Sequence, residues 1–244
     1  MRNIIIATIF ALAPIGASAT DLPVIGRIVA DHDIILSANR GGQIVELSVK
    51  NGQKIASGTP IARSHCAEDQ ARYQASLASS KALELELKSQ KQLREYGSAT
   101  PLQVEKAQAD WDRSLAEANI YNQSIQDCTI LSPIDGTIVQ VFVDPFEFVD
   151  RGNDLVRIVD NGDRYVEFLA PVSWYAELMS GDRVRVELAE LGKTIFAQID
   201  QIGAAIEPVS QTVRMRAKLA QTTTTIPVGI AGQVLRTNSA GDGQ

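Results

Sequence analysis

Cysteine and histidine are scarce in this chain: two of each among 244 residues. A four-ligand metal site would need partners gathered from scattered positions, so Cys66 beside His65 is not read as a metal centre. Aromatic residues make up only 5%, which suits a β-rich or coiled-coil protein better than a dense enzyme core. Basic residues are outnumbered, with a formal net charge of -6 and no basic cluster, which argues against nucleic acid as a partner. No Gly-rich phosphate loop or metal-hydrolase pattern occurs. His32 is isolated, and the acidic residues are scattered along helices and turns. These absences point away from an enzyme, and they imply no cofactor. Beyond the N-terminus, no stretch is apolar enough to cross a bilayer.

The first residues carry an address. Arg2 precedes the apolar run Ile4 to Leu12, and Ala17-Ser18-Ala19 fits a small-residue cleavage site. Residues 1–19 read as a secretory signal peptide cleaved near Ala19. An uncleaved anchor is the alternative, although the run is short for a span. The mature chain is expected to be exported to a compartment where thiols oxidise.

Residues 64–127 are polar and rich in alanine. From Ala67 to Tyr96 there is no Gly or Pro, and good helix formers dominate. The turn Gly97-Ser98-Ala99-Thr100-Pro101 separates this run from a second helix reaching about Ile125, with Thr100 as N-cap and Pro101 at the first helical position. Val104, Trp111, Ala118 and Ile125 recur at heptad spacing, as do Ala107, Ser114, Tyr121 and Cys128. In the first helix, Cys66, Tyr73, Ser80 and Leu87 form one row, and Gln70, Leu77, Glu84 and Lys91 a mixed companion row. The expectation is a weakly apolar antiparallel hairpin, roughly 45 Å long at ~1.5 Å per residue.

An internal repeat flanks the hairpin. Gly42 matches Gly136, Ile44 matches Ile138, Leu47 matches Val141, and Val49 matches Val143. Ile55 matches Val149, Gly58 matches Gly152 and Ile61 matches Leu155, all at one offset without a gap. Two such β-halves bury their apolar faces by packing as a pseudo-symmetric sandwich. Residues 20–63 are assigned to N-terminal strands and the first half, 64–127 to the inserted hairpin, and 128–160 to the second half. Residues 161–237 read as a small β-barrel. Val166–Pro171, Arg183–Leu188, Ile195–Ile202 and Thr212–Leu219 are its strand candidates, with a short helix at Ser173–Met179 capped by Ser173. The Gly/Ser-rich tail 238–244 is expected to be disordered.

The split sandwich, inserted hairpin and barrel resemble the periplasmic adaptor proteins of tripartite efflux pumps, the HlyD-like membrane fusion proteins. Gly42-Gln43-Ile44 and Ile130-Leu131-Ser132-Pro133-Ile134-Asp135-Gly136-Thr137-Ile138 are similar to the two lipoyl half-motifs of that family. Val209-Ser210-Gln211-Thr212-Val213-Arg214-Met215-Arg216-Ala217 is similar to its barrel signature, and Pro227-Val228-Gly229-Ile230-Ala231-Gly232 to the turn before the last barrel strand. The resemblance implies a mainly β fold: a lipoyl-like split β-sandwich with an inserted coiled-coil hairpin, followed by a barrel. It implies a non-enzymatic role in the periplasm, bridging an inner-membrane transporter of the RND type to an outer-membrane channel, as a homo-oligomer. An adaptor for an ABC-type exporter or type I secretion system is the alternative. A lipoyl or biotin carrier is a weaker one, because the hairpin occupies the place of the acceptor turn and Lys50 and Lys54 read as solvated. The family places channel-contact residues around the hairpin turn. Leu93 and Thr100 fit two of those positions, while Ser89 stands where Arg is usual. The membrane-proximal domain that many members carry after the barrel is expected to be absent or reduced.

Cys66 and Cys128 fall at the start of the first helix and just past the end of the second. Counted from the turn, the two arms are of similar length, and both cysteines lie on seam rows. A disulfide across the hairpin base is the expectation, with two free thiols as the alternative.

Overall fold

The structure is a computed structural model that describes residues 23–220 and 226–237. The signal-peptide and tail assignments lie outside the described residues. Val24–Ala30 (β1), Asp33–Ser37 (β2), Gly42–Leu47 (β3), Lys54–Ile55 (β4) and Pro60–Ser64 (β5) precede two helices, Ala67–Glu95 (α1) and Pro101–Gln126 (α2). Thr129–Leu131 (β6), Gly136–Val141 (β7), Phe148–Val149 (β8) and Asp154–Asp160 (β9) follow. Arg164–Pro171 (β10), Val172–Glu177 (α3), Arg183–Leu188 (β11), Lys193–Glu207 (β12), Thr212–Leu219 (β13) and Ala231–Arg236 (β14) complete the order. The chain divides into two compact units. Among the described residues, the larger is formed mainly by Ile28–Tyr165, the smaller chiefly by 166–220 and 230–237 with 23–27.

In the larger unit the sequence repeat becomes a structural one. One sheet has the order β2-β9-β7-β4 and the other β6-β5-β3-β8. Exchanging the two halves of the repeat turns the first order into the second. The correspondence extends to single hydrogen bonds. Gly52 donates its N–H to the Ile138 carbonyl at 2.8 Å, and its counterpart Phe146 donates to the Ile44 carbonyl at 2.7 Å. Gly58 donates to Ser132 and Gly152 to Ala38, both at 2.7 Å. The matched apolar pairs meet in one core: Ile44 and Ile138, Val49 and Val143, Ile55 and Val149, and Ile61 and Leu155 are all buried there. Neither half could bury this face alone, which is why the repeat folds as one body. Gly136 is required by contact, since a Cβ there would lie 2.6 Å from the Val159 carbonyl oxygen. The symmetry breaks at one turn. Gly52 has φ of 80°, and Phe146, its counterpart, holds a φ of 71°, a region costly for a residue with a Cβ.

The helices leave this body between β5 and β6. Helix α2 buries Val104, Ala107, Ser114 and Ala118, all members of the two rows expected from the sequence. Helix α1 buries Ser76, Ser80 and Leu87. Its first row is as expected. The companion row is Asp69, Ser76, Leu83 and Gln90, one position before the mixed row, with Ser76 buried, the other three half-buried and Leu77 exposed. Ser76 and Ser80 of α1 and Ala107, Ser114 and Ala118 of α2 are small, so the helices pack with little apolar material. A knot of Leu87, Val104 and Ala107 with Trp111 supplies most of it.

The smaller unit contains a closed six-stranded barrel, β1-β10-β13-β12-β11-β14. Alternation drives it: Val184, Val186 and Leu188 of β11, and Val213, Met215 and Ala217 of β13, are fully buried while their neighbours face out. Val24–Ala30, read from sequence only as an N-terminal strand ahead of the first half, pairs with β14 in this barrel, with Gly26 opposite Gly232. A Cβ at Gly26 would meet Val166 at 2.5 Å, and one at Gly232 would meet Leu188 at 2.6 Å. Closure here depends on two facing glycines. Strand β12 is longer than expected and bends through two register shifts against β13. Helix α3 starts at Val172 after Pro171, with no side-chain cap, so Ser173 is not the N-cap.

Candidate functional site

The inserted hairpin concentrates the unusual chemistry of the larger unit, at its base and at its tip. At the base, Cys66 is the N-cap residue of α1, and Cys128 follows the last turn of α2. The two are joined in a disulfide with a Cα–Cα distance of 6.2 Å, inside the range that a disulfide spans. The pairing expected from the sequence is present. Backbone bonds tie the same residues to the sandwich: Ser64 donates to the Cys128 carbonyl at 2.9 Å, and His65 to the Gln43 carbonyl at 2.8 Å. The His65 side chain is exposed, and its neighbour's sulfur is committed to the disulfide.

Arg40, between β2 and β3, reaches into this base. Its Nη2 donates to Asp69 Oδ2 at 2.6 Å, and its Nη1 to the Ser124 carbonyl at 3.1 Å. Nη1 also lies 3.2 Å from Cys128 Sγ and 3.7 Å from Cys66 Sγ. One guanidinium thus holds an acidic residue in the first turn of α1 and a backbone carbonyl in the last turn of α2. Both contacts suit the helix ends, which carry unpaired backbone groups and partial charge. Sequence reasoning missed Arg40, because nothing local distinguishes it from any other loop arginine; its partners are far along the chain.

At the tip, α1 stops because Gly97 adopts a φ of 70°, and Ser98 donates back to the Leu93 carbonyl at 2.8 Å. Helix α2 starts with a reciprocal capping box. Gln103 donates its N–H to Thr100 Oγ1 at 3.3 Å, and Thr100 donates its N–H to Gln103 Oε1 at 2.7 Å. The Thr100 hydroxyl, singled out as a contact candidate, is therefore engaged in ending the turn. Leu93 is 41% exposed, and near it in sequence Tyr96 is 82% and Leu102 72% exposed. The last two lie on none of the expected seam rows and carry no motif of their own. Their positions next to the Gly97 turn were the available signal.

Outside the hairpin, Asp31, His32 and Asp160 lie together, but Asp160 is already occupied. Its Oδ2 accepts from the His32 N–H at 2.7 Å, and its Oδ1 from Gly162 N–H at 3.1 Å and Arg164 Nη1 at 3.3 Å. It locks the end of β9. On the sheet surfaces, the Arg63 guanidinium bonded to Glu46 holds that carboxyl below its ordinary range, and Asp33 beside Arg157 raises the arginine further. Lys50 and Lys54 are exposed beside the Gly52 turn. Among the described residues, no helix is long and apolar enough to cross a membrane.

No protein-family model matches the chain. An uncharacterized protein of Haemophilus influenzae is 26% identical over 193 residues, covering 79% of this chain and 50% of that protein. The chain thus spans about half the length of this curated relative. Among solved structures, a MacA–MexA chimera carrying the Pseudomonas aeruginosa MexA α-hairpin domain superposes with a TM-score of 0.79 at 19% identity, covering 87% of this chain and 80% of the chimera. The membrane fusion protein Spr0693 of Streptococcus pneumoniae gives 0.74 at 17% identity, covering 86% of this chain and 98% of its own. With its closed barrel, its paired sheets and the helical hairpin set between their two halves, the chain has the fold of the membrane fusion proteins.

Proposed function

We propose that this chain is a non-enzymatic periplasmic adaptor of a tripartite efflux pump, exported through a cleaved N-terminal signal and bridging an inner-membrane transporter to an outer-membrane channel. The carrying observation is the placement of the hairpin. It enters between the two halves of a pseudo-symmetric sandwich, is fastened at its base by Cys66–Cys128 and Arg40, and ends in a capped turn that exposes Leu93, Tyr96 and Leu102. A body that anchors a long, thin arm and exposes apolar side chains at its end suits bridging, not turnover. The sandwich is lipoyl-like in this reading, but the segment joining its halves is the hairpin, which leaves a carrier function no acceptor turn. The barrel and sandwich pack on the transporter, for which the RND type is proposed and an ABC-type exporter is the alternative. The seam buries little apolar surface, so side-by-side hairpins of a homo-oligomer cover what a single one leaves open.

Replacing Leu93 with Glu tests the tip. Export of the pump's substrate should fall to the level of a deletion strain, while the purified variant keeps the thermal unfolding curve of the parent. Undiminished export by the Leu93→Glu protein would refute a channel contact at this turn.

A further inference from the structure

Each hairpin helix carries apolar residues on the side turned away from the seam. Ala78 and Leu85 are seven apart on α1, with Ala75 beside them, and Ala109 and Ala116 are seven apart on α2, with Ile120 beside them; all six are exposed. Leu85 is 57% and Ile120 65% exposed. The Cys66–Cys128 link and the 3.3 Å bond from Lys91 Nζ to Gln108 Oε1 fix which positions of the two helices stand level. Leu85 stands level with the gap between Ala109 and Ala116, and Ile120 with the gap between Ala75 and Ala78. Charge follows the same heights. The edge of the hairpin that carries the Lys91–Gln108 bond shows Lys81 and Lys88 on α1, and Glu105 and Asp112 on α2, all exposed. Asp112 stands at a height between the two lysines. Lys81 is bonded to Glu84, whereas Lys88 forms no ion pair among the described residues.

We propose that copies of this chain associate head to tail along their hairpins, the outer face of α1 in one copy packing on the outer face of α2 in the next at equal height. This contact rests on the homo-oligomer of the reading above and gives it its faces. Rotation about an axis along the hairpin leaves heights unchanged. Leu85 of one copy therefore enters between Ala109 and Ala116 of the next, whose Ile120 enters between Ala75 and Ala78 of the first. Each large side chain meets small ones, the size match by which helices interlock. Along one edge the lysines of α1 meet the carboxylates of α2, and this charge match sets the direction of the contact. Because the two faces differ, the contact is heterologous, and a closing rotation makes a ring of it. A contact of α1 with a second α1 at the same height brings Leu85 onto Leu85 and leaves Ile120 uncovered.

Full-length chains carrying Leu85→Cys and Ala109→Cys under different affinity tags are expressed together, beside the transporter and the channel. Osmotically opened cells are treated with a short bismaleimide, to which Cys66 and Cys128 are silent in their disulfide. The mixed pair should give a crosslinked dimer, and each variant alone should give none. Gln123→Cys in place of Ala109→Cys, on the same helix nearer the base, should abolish the mixed dimer. Lys88→Glu in the first chain should lower its yield about fivefold, and Asp112→Lys in the second should restore it, a rescue that damage to folding would not allow. The oligomer is read in parallel by amine crosslinking of the parent in the same cells. Homotypic dimers of either single variant, or a parent oligomer without the mixed adduct, would overturn the proposed faces and leave the oligomer standing. A parent that stays monomeric would overturn the oligomer itself, and this contact with it.

Discussion

Removing both cysteines isolates what the covalent link contributes to the folded chain. Cys66 and Cys128 are separated by 62 positions, and closing a loop of that length in the unfolded chain corresponds to about 4 kcal/mol of stabilisation by the chain-entropy relation. Little else at the seam approaches that figure. The buried hydrophobic residues of the two helices are Leu87, Val104, Ala107 and Ala118, and two of these four are alanine. The double substitution Cys66→Ala with Cys128→Ala should therefore lower the urea-unfolding free energy of the larger unit by about 3–4 kcal/mol, followed by far-ultraviolet circular dichroism of the helices. Hydrogen exchange should quicken first at the ends of α1 and α2 near the sandwich, where Arg40 remains as the clamp. The parent protein held in strong reductant should match the double variant to within the small cost of two lost sulfurs. A loss of less than about 1 kcal/mol would contradict the reasoning, because Arg40, Asp69 and the Ser124 carbonyl would then be holding the base unaided.

Three further substitutions test other joints of the fold. Thr100→Ala removes the capping box at the start of α2 and should cost about 1 kcal/mol by chemical denaturation, with the tip turn exchanging amide protons faster. Gly136→Ala places a methyl against the Val159 carbonyl and should cost about 2 kcal/mol, whereas alanine at the exposed helical position Ser79 should be nearly silent. Phe146→Gly restores to the second half the residue its counterpart turn carries. It should leave stability unchanged or raise it by up to about 1 kcal/mol, since relief of the left-handed backbone outweighs the entropy of a new glycine. A clear loss in thermal unfolding would mean that the exposed Phe146 ring packs on something that stabilises it.

Much of this fold is legible in the sequence because two periodicities are strong. The single-offset repeat from Gly42 and Gly136 onward marks both sheets and both ends of the insertion, since a glycine at a close approach and alternating Ile and Val leave few other solutions. The Thr100-Pro101 start and the Gly97 stop mark the hairpin turn by local chemistry alone. Other features depend on what meets across the chain. Val24–Ala30 carries no sign that it closes a barrel against Ala231–Arg236; only the approach of Gly26 to Gly232 reveals it. In α1, apolarity points to Leu77, whereas the companion row of the seam runs one residue earlier, through Leu83 and the buried Ser76. A serine chosen for close approach of two helices looks, in sequence, like any exposed one. Cys66 and Cys128 could be paired from arm lengths, but Arg40 could not be placed beside them. Tyr96 and Leu102 lie off the seam rows, and only their closeness to the Gly97 turn sets them apart from other apolar residues of the helices.

The bridging role is tested most directly from the hairpin tip in intact cells. A photo-crosslinking amino acid is placed at position 96 of the full chain, expressed beside its transporter, and activated before membrane fractionation. The account predicts one dominant adduct with an outer-membrane channel protein, lost when Leu93 is replaced by Glu and absent when the crosslinker is moved to exposed positions on the barrel. Crosslinks confined to inner-membrane proteins, or none above background in cells that export normally, would contradict it.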